Sequence, residues 1–344
     1  MKITIGIKAL NEEKHIAASV ESALKAVEPF DGEVVLADSG STDRTIEIAS
    51  RYPIRIVQLA DPGEQSCGTG AQLAFQHAQG EFFYLLDGDM IIEPDFLPVA
   101  IEYLESHPQV AAVGGLVREM NTEGNEFAIR ATTVAKDPNW LPGIVDRLDC
   151  GGLYRTDVLR QLGYFADRNL HAFEEFETAA RLQSKGWQLA RIDAPAVQHF
   201  GHTIDSYKLI WKRIRSGYSG AVGEVLRAAI GNHHSKTVLQ KMSHIRFGVI
   251  VWCWWLALLG AALLGQVYAF AAIFVLPVLF LAWRRGSLNL GLYSFCTWNV
   301  SALGLVTGFF RRRKPPEKAI ASVTLATASA GPAYSTPSHA RAEH

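Results

Sequence analysis

Residues 81–90 read EFFYLLDGDM, an almost wholly apolar run that stops at two aspartates separated by a glycine. A run of that length and composition predicts a strand buried on both faces, the kind that lies in a parallel sheet covered by helices. Such sheets bind ligands beyond the C-terminal ends of their strands, so Asp87 and Asp89 arrive at the ligand edge. Gly88 is read as letting the backbone turn so that both carboxylates face one ion. Two carboxylates with open positions suit Mg2+ or Mn2+, which keep waters and take their remaining ligands from a diphosphate. The plain alternative is a polar strand-to-loop junction, since Asp and Gly are ordinary turn residues.

Upstream of this strand the same grammar repeats. Ile3–Ile7 alternates like a short strand, and Asn11, Glu12 and Glu13 open a helical stretch through about Ala26. Glu33–Ala37 (EVVLA) is a second buried strand, Ser41, Thr42 and Asp43 can cap a helix reaching Arg51, and Ile54–Leu59 is a third strand. A helix from about Gly70 to Ala78 leads into the aspartate strand. The order βαβαβ predicts an α/β fold: a mostly parallel sheet with helices on both faces. Asp38, directly after EVVLA, stands at a second strand end, where it can accept hydrogen bonds from a nucleobase or ribose; turn chemistry is the alternative. Downstream the pattern loosens into a helix at Pro98–Ser106, a strand at Val110–Gly114 and a Gly-rich polar region to Gly152. A helix at Phe173–Lys185, a strand at Trp187–Ile192 and a basic amphipathic helix over Tyr207–Leu226 follow.

Composition narrows the partners. Of 344 residues, 49% are hydrophobic and only 19% charged, which excludes a disordered chain and points to a membrane. The net charge of −1 hides an asymmetry, −11 up to Glu224 and +10 from Val225 onward. The front half is therefore not a basic nucleic-acid grip, while the back half can sit against an anionic membrane surface. The four cysteines are far apart, so neither a zinc motif nor a disulfide framework is expected. The chain starts at once on a strand pattern, with no charged leader and cleavage site, and the front domain is expected in the cytoplasm.

From Phe247 to Trp283 there is no charged residue. As one helix, at about 1.5 Å per residue, the run would reach roughly 55 Å against a bilayer core of about 30 Å. A hairpin of two spans, 247–265 and 267–283, resolves this, with the break at Gly265 and Gln266 and with Pro277 inside the second span. A buried helix pair of a soluble core is the alternative, but soluble helices rarely lack a polar face over such a length. Leu288–Phe310 is a weaker third segment, expected to be re-entrant or interfacial. The organisation read from sequence is a domain at 1–230, a basic connector at 231–246, a membrane region at 247–310 and a basic, then disordered, tail at 311–344. The tail is rich in Ala, Ser, Thr and Pro.

Five segments in order carry a resemblance. IGIKALNEEKHI resembles the opening strand and Asn-Glu-Glu helix start of the family 2 glycosyltransferases of GT-A fold, LADSGSTDRT their nucleotide-binding Asp loop, and LLDGDM their DXD metal motif. CGGLYRTDVLRQLGYF is similar to the family's acceptor-side segment, and HAFEEFETAARLQSKGW to its acidic helix start. The resemblance covers about residues 1–230. It implies a Rossmann-like GT-A fold, a nucleotide-sugar donor that is UDP-linked, and Mn2+ or Mg2+ as cofactor. Asp38 would contact the base or ribose, with Asn11 and Asp87 also on the nucleotide side. Asp89 would bind the metal directly, with Asp87 near its water and His199, in AVQHFGH, as a further metal or phosphate contact. Glu175, where the family has an Asp, would deprotonate the acceptor hydroxyl, although the longer side chain leaves Glu174 and Glu177 in contention.

Departures bear on the details. Ala71 and Gln72 stand where the family often has Arg and Asn, so no pyrophosphate ligand can be named. IWKRIRSGYSG replaces the Gln and Arg-Trp pattern of processive synthases, which argues against a polymerase that threads its product through the membrane. Trp211, Lys212, Arg213 and Arg215 can lie at a lipid interface, or simply on a solvated helix. The expected activity is an inverting, multi-pass inner-membrane glycosyltransferase of polysaccharide or glycolipid biosynthesis. Its catalytic domain would face the cytoplasm and its acceptor would be lipid-linked or a growing saccharide. A haloacid-dehalogenase-type phosphatase also places Asp-x-Asp after an apolar strand, but on its first strand and followed by Thr, whereas Met90 follows here. A non-catalytic relative acting as scaffold or carrier-binding subunit is the remaining alternative.

Overall fold

The apolar runs form the strands they announce: β1 (Ile3–Ala9), β2 (Glu33–Asp38), β3 (Arg55–Leu59) and β4 (Phe82–Asp87). In this computed structural model, which describes residues 1–121, 134, 137–201 and 204–327, they lie parallel in the order β3-β2-β1-β4. The alternation along each strand splits the core in two. Val34, Leu36, Phe82, Tyr84 and Leu86 face helices α1 (Ile16–Val27) and α4 (Phe96–Ser106), while Val35, Ala37, Phe83 and Leu85 face α3 (Cys67–Gln76). Each large apolar side chain so buried stabilises the fold by about 1.5–3 kcal/mol. The register places Ala9 opposite Asp38 and Lys8 opposite Asp87, so β2, β1 and β4 end level at one edge.

Beyond β4 the sheet becomes mixed. The order continues β8 (Gly152–Arg155), β6 (Val110–Glu119), β9 (Gln188–His199) and β5 (Met90–Ile92), and β7 (Gly143–Val145) also pairs with β9. Only β6 and β9 are parallel in this half. Both run well past the Gly114 and Ile192 limits expected from sequence, because their outer halves pair with each other and need no continuous apolar run. The shorter helices α2 (Thr45–Ala49), α5 (Thr156–Gln161) and α6 (Glu174–Ser184) link the strands. The polar region expected up to Gly152 lies partly outside the described residues.

Three expectations change. The first helix starts at Ile16, because Asn11 adopts a left-handed backbone (φ 60°) and spends its side chain on the Ser41–Asp43 loop. The long amphipathic helix is two, α7 (Ser206–Arg215) and α8 (Ala221–Ala229), broken at Gly217, whose φ of 83° suits glycine alone. The tail after Lys318, expected to be disordered, contributes β10 (Ser322–Ala326), antiparallel to β3 at the sheet edge, with Ile320 buried. Alternating Val323 and Leu325 give that stretch strand character despite its Ala/Ser/Thr surroundings. The rest of that expectation, at 328–344, lies outside the described residues.

The segment 231–246 holds α9 (Ser235–Lys241), whose Val238 is buried and whose Lys241 pairs with Asp146 at 2.6 Å. Then come α10 (Ser243–Leu263), α11 (Val267–Arg285, with Pro277 inside) and α12 (Leu288–Phe309). The break falls at Gly265, φ 66°. Helix α12 docks backbone to backbone on the segment before α8: a Cβ on Gly304 would lie 1.9 Å from the Ser219 carbonyl oxygen, and one on Gly308 as close to that of Gly220. After α12, Arg311 pairs with Glu224, Arg313 with Asp167 and Lys314 with Glu64, so the basic run is tied to the sheet domain.

Candidate active site

The level ends of β2, β1 and β4 set Asp38, Lys8 and Asp87 side by side. Asp38 is fully buried; its Oδ2 accepts from the Gly40 and Ser41 amides (2.8 and 2.9 Å) and from Gln58 Nε2 (3.0 Å), and its Oδ1 has no hydrogen-bond partner among the described residues. Asn11 Oδ1 accepts from the Thr42 amide at 2.8 Å, so Asn11 shapes the Asp38 loop from outside. Gln72 is likewise used internally, its Oε1 accepting from the Phe165 and Ala166 amides.

Asp87 and Asp89 turn to different partners. Lys8 Nζ lies 3.2 Å from Asp87 Oδ1 and 2.6 Å from Glu174 Oε1. Asp89 Oδ2 lies 3.5 Å from His199 Nε2, because β5 leaves Asp89 at once and pairs Met90 with His199. Gly88 stands in a turn, where glycine is needed for space rather than for a left-handed backbone. Its φ is not left-handed, and a Cβ there would sit 2.9 Å from Glu12 Cγ. The other ring nitrogen of His199, Nδ1, is 2.9 Å from Glu119 Oε2.

The Glu-rich start of α6 sorts itself by partner. Glu174 is buried against Lys8. Glu177 is fully buried and held by Arg181 Nε, 2.9 Å from both its oxygens. Glu175 keeps part of its surface open and accepts the Gly151 amide at 3.2 Å.

The site carries more negative charge than its cations balance. Burial pushes the Glu175 carboxyl up to about 8; Lys8 opposes this, and Glu174 and Asp87 add to it. Glu12 is also pushed up to about 8, by burial and then by Asp89 and Asp87. Asp87 is raised as well, chiefly by burial. Burial alone would lower Lys8 and His199. Instead Asp87 and Glu174 raise Lys8 well above its usual range, and hydrogen bonds to Asp89 and Glu119 lift His199 to about 9. Carboxylates crowded to this degree fit a divalent cation: Asp89 and Asp87 offer the oxygen donors that Mn2+ or Mg2+ prefers, and His199 stands beside Asp89 as a further nitrogen donor.

Sequence reasoning missed Lys8, Glu12 and Glu119. A lone lysine closing an apolar strand in register with Asp87 was a signal for the first. Glu119 had none, since only the extended β6 and β9 pairing brings it to His199.

The family model described as Glycosyl transferase family 2 matches residues 4–163. EpsE of Bacillus subtilis (strain 168), which bears a glycosyltransferase name, is 25% identical over 274 residues, covering 70% of this chain and 95% of EpsE. The succinoglycan biosynthesis protein ExoA of Rhizobium meliloti (strain 1021) is 28% identical over 177 residues, 50% of this chain and 49% of ExoA, so the chain matches about half of that relative. Among solved structures, the mannosyltransferase PcManGT from Pyrobaculum calidifontis, in complex with GDP-Man and Mn2+, is similar with a TM-score of 0.61 at 21% identity. That match covers 89% of this chain and 87% of PcManGT, and it shows a shared fold.

Proposed function

We propose, from the match of residues 4–163 to the family 2 glycosyl transferase model and from the shared fold, a membrane-anchored, inverting glycosyltransferase. It moves a sugar from a nucleotide donor, UDP-linked by expectation, to a lipid-linked or growing saccharide. The observation that carries the reading is the sorting of the acidic side chains. Glu174 and Glu177 are each held by a cation, and Glu175 alone at the start of α6 is partly open, near the end of β4.

In this reading the uncommitted Oδ1 of Asp38 receives an N–H of the base, such as the imide of uracil. Asp89 and His199 hold Mn2+ or Mg2+ with Asp87 beside them. When bound, the ion neutralises charge on the leaving nucleoside diphosphate. Lys8 keeps Glu174 turned inward and supplies a fixed positive charge at the same edge. Glu175 takes the proton of the acceptor hydroxyl, and one base opposite the leaving group gives direct displacement with inversion at the anomeric carbon.

Membrane attachment rests on α10 and α11. Both are long and apolar enough to cross a bilayer, and only 17% and 6% of their apolar windows are covered by the rest of the chain, which disfavours the soluble-core alternative. Lys241 and Arg246 before the pair and Arg284 and Arg285 after it support a topology with both flanks, and the 1–230 domain, on the cytoplasmic side. Exposed Tyr207 and Trp211 on α7, with Lys208, Lys212 and Arg215, make a face suited to a lipid head group. Purified full-length protein should release nucleoside diphosphate from a sugar donor only with Mn2+ or Mg2+, and Asp89→Asn should abolish that release without unfolding the chain. Full turnover by Asp89→Asn would refute the metal assignment. A wild type that neither turns over nor is thermally stabilised by any donor would instead fit a scaffold.

A further inference from the structure

Next to the aspartate pair the fold assembles a second group of ligating side chains. The ligand atoms of Glu119, Cys150 and His199 all lie within 4.8 Å of one another. Each comes from a different place: Glu119 and His199 end β6 and β9 as register partners, and Cys150 stands in the turn before β8. Cys150 has a left-handed backbone, φ 65°, which a residue with a Cβ seldom adopts.

A carboxylate, an imidazole and a thiol form a donor set that Mn2+ and Mg2+ do not favour, since both are hard ions that prefer oxygen. Thiolate selects softer ions. Zinc takes sulfur at about 2.3 Å and nitrogen or oxygen at about 2.0–2.2 Å, with three protein ligands and an open fourth position in non-structural sites. At those lengths tetrahedral neighbours stand roughly 3.5 Å apart, so Cys150 needs to draw in by roughly 1.3 Å at most, while the Glu119–His199 pair, 2.9 Å apart, opens slightly. We propose that Glu119, Cys150 and His199 form a binding site for a thiophilic divalent ion of the Zn2+ class. The site shares His199 with the position beside Asp89, so its occupation excludes the productive ion and stops transfer. His199 lies between the two positions, Nδ1 toward Glu119 and Nε2 toward Asp89, and a neutral imidazole has one lone pair to give, so a ring that ligates one ion keeps its other nitrogen protonated.

Ion binding is independent of the transferase reading, and only the inhibition rests on it. The first measurement is therefore titration of the full-length chain in detergent with Co2+, a spectroscopic stand-in for Zn2+. Wild type should develop the near-ultraviolet thiolate-to-cobalt absorption at one ion per chain. The band should persist in Asp89→Asn and vanish in Cys150→Ser. Cys150→Asn, a residue that tolerates the left-handed backbone, should behave as Cys150→Ser does and guards against misfolding of the first variant. Absence of the band in wild type, or its survival in both Cys150 variants through Cys67, Cys253 or Cys296, overturns the site. The second measurement is Zn2+ inhibition of Mn2+-supported donor turnover, expected to need at least tenfold more Zn2+ in Cys150→Ser. Equal sensitivity overturns the inhibitory role. A chain that binds Co2+ as expected yet never turns over a donor removes the transferase reading and leaves the ion site standing.

Discussion

Lys8 takes Glu174 and Arg181 takes Glu177, so three chemically identical side chains in a single turn of α6 meet three different environments. The resemblance singled out Glu175, but the residues of EEFE by themselves gave no ranking, because Lys8 lies more than 160 residues upstream of Glu174. Glu175→Gln should cut transfer by about 10²–10⁴ and leave donor affinity nearly unchanged, measured by kinetics beside equilibrium binding. Glu177→Gln should instead act on stability, since breaking a buried pair costs about 3–5 kcal/mol, seen as a lower unfolding temperature with turnover per folded molecule retained. If Glu174→Gln loses more turnover than Glu175→Gln, the base has been misassigned. The raised carboxyl of Glu175 adds a pH signature. With its folded value near 8 and an unfolded value near 4.3, Glu175 binds more protons when folded across that window. Its contribution to stability is complete below about pH 4 and is lost as pH rises toward 8, whereas the carboxylate needed as base appears only as pH approaches 8. Melting curves of the metal-free protein should therefore fall across that window, and Glu175→Gln should flatten part of the fall; an unchanged slope would remove the group from the account.

Elements were legible where burial wrote a period into the chain. The βαβαβ order, EVVLA and EFFYLLD read correctly, because two-sided burial demands continuous apolar runs; the helix pair α10 and α11 was legible from its unbroken apolar composition, although the rest of the chain covers little of it. What could not be read depends on distant partners: the outer halves of β6 and β9, the break at Gly217 and the return of β10 to β3. Two substitutions test those long-range joints. Ile320→Ala, under the strap that leads into β10, should cost about 2–4 kcal/mol, read by thermal unfolding; a loss within experimental error would mean the strap is not part of the folded domain. Gly304→Val places a side chain where the Ser219 carbonyl already stands, and real Cβ atoms do not approach that closely. The variant should still reach the membrane while its 311–326 segment becomes open to limited proteolysis, and protection equal to wild type would contradict the docking.

Taken as a whole, the molecule is a sheet domain joined to apolar helices by two tethers, the chain before α10 and the ion-paired run after α12. If α10 and α11 span a bilayer as proposed, the protein should resist extraction by alkaline carbonate or high salt and yield only to detergent, and release of the intact chain by carbonate would refute the two spans. The second tether also has a bearing on how the protein is made. A ribosome must complete all three apolar helices before it can supply β10, so the edge of β3 stays bare while those helices are being made. At about 5–20 residues per second, the delay between translating β3 and its partner is roughly 10–50 s. The nascent sheet domain therefore passes that interval with an unpaired strand edge, and its last strand zips into place only after the helices have left the translation machinery.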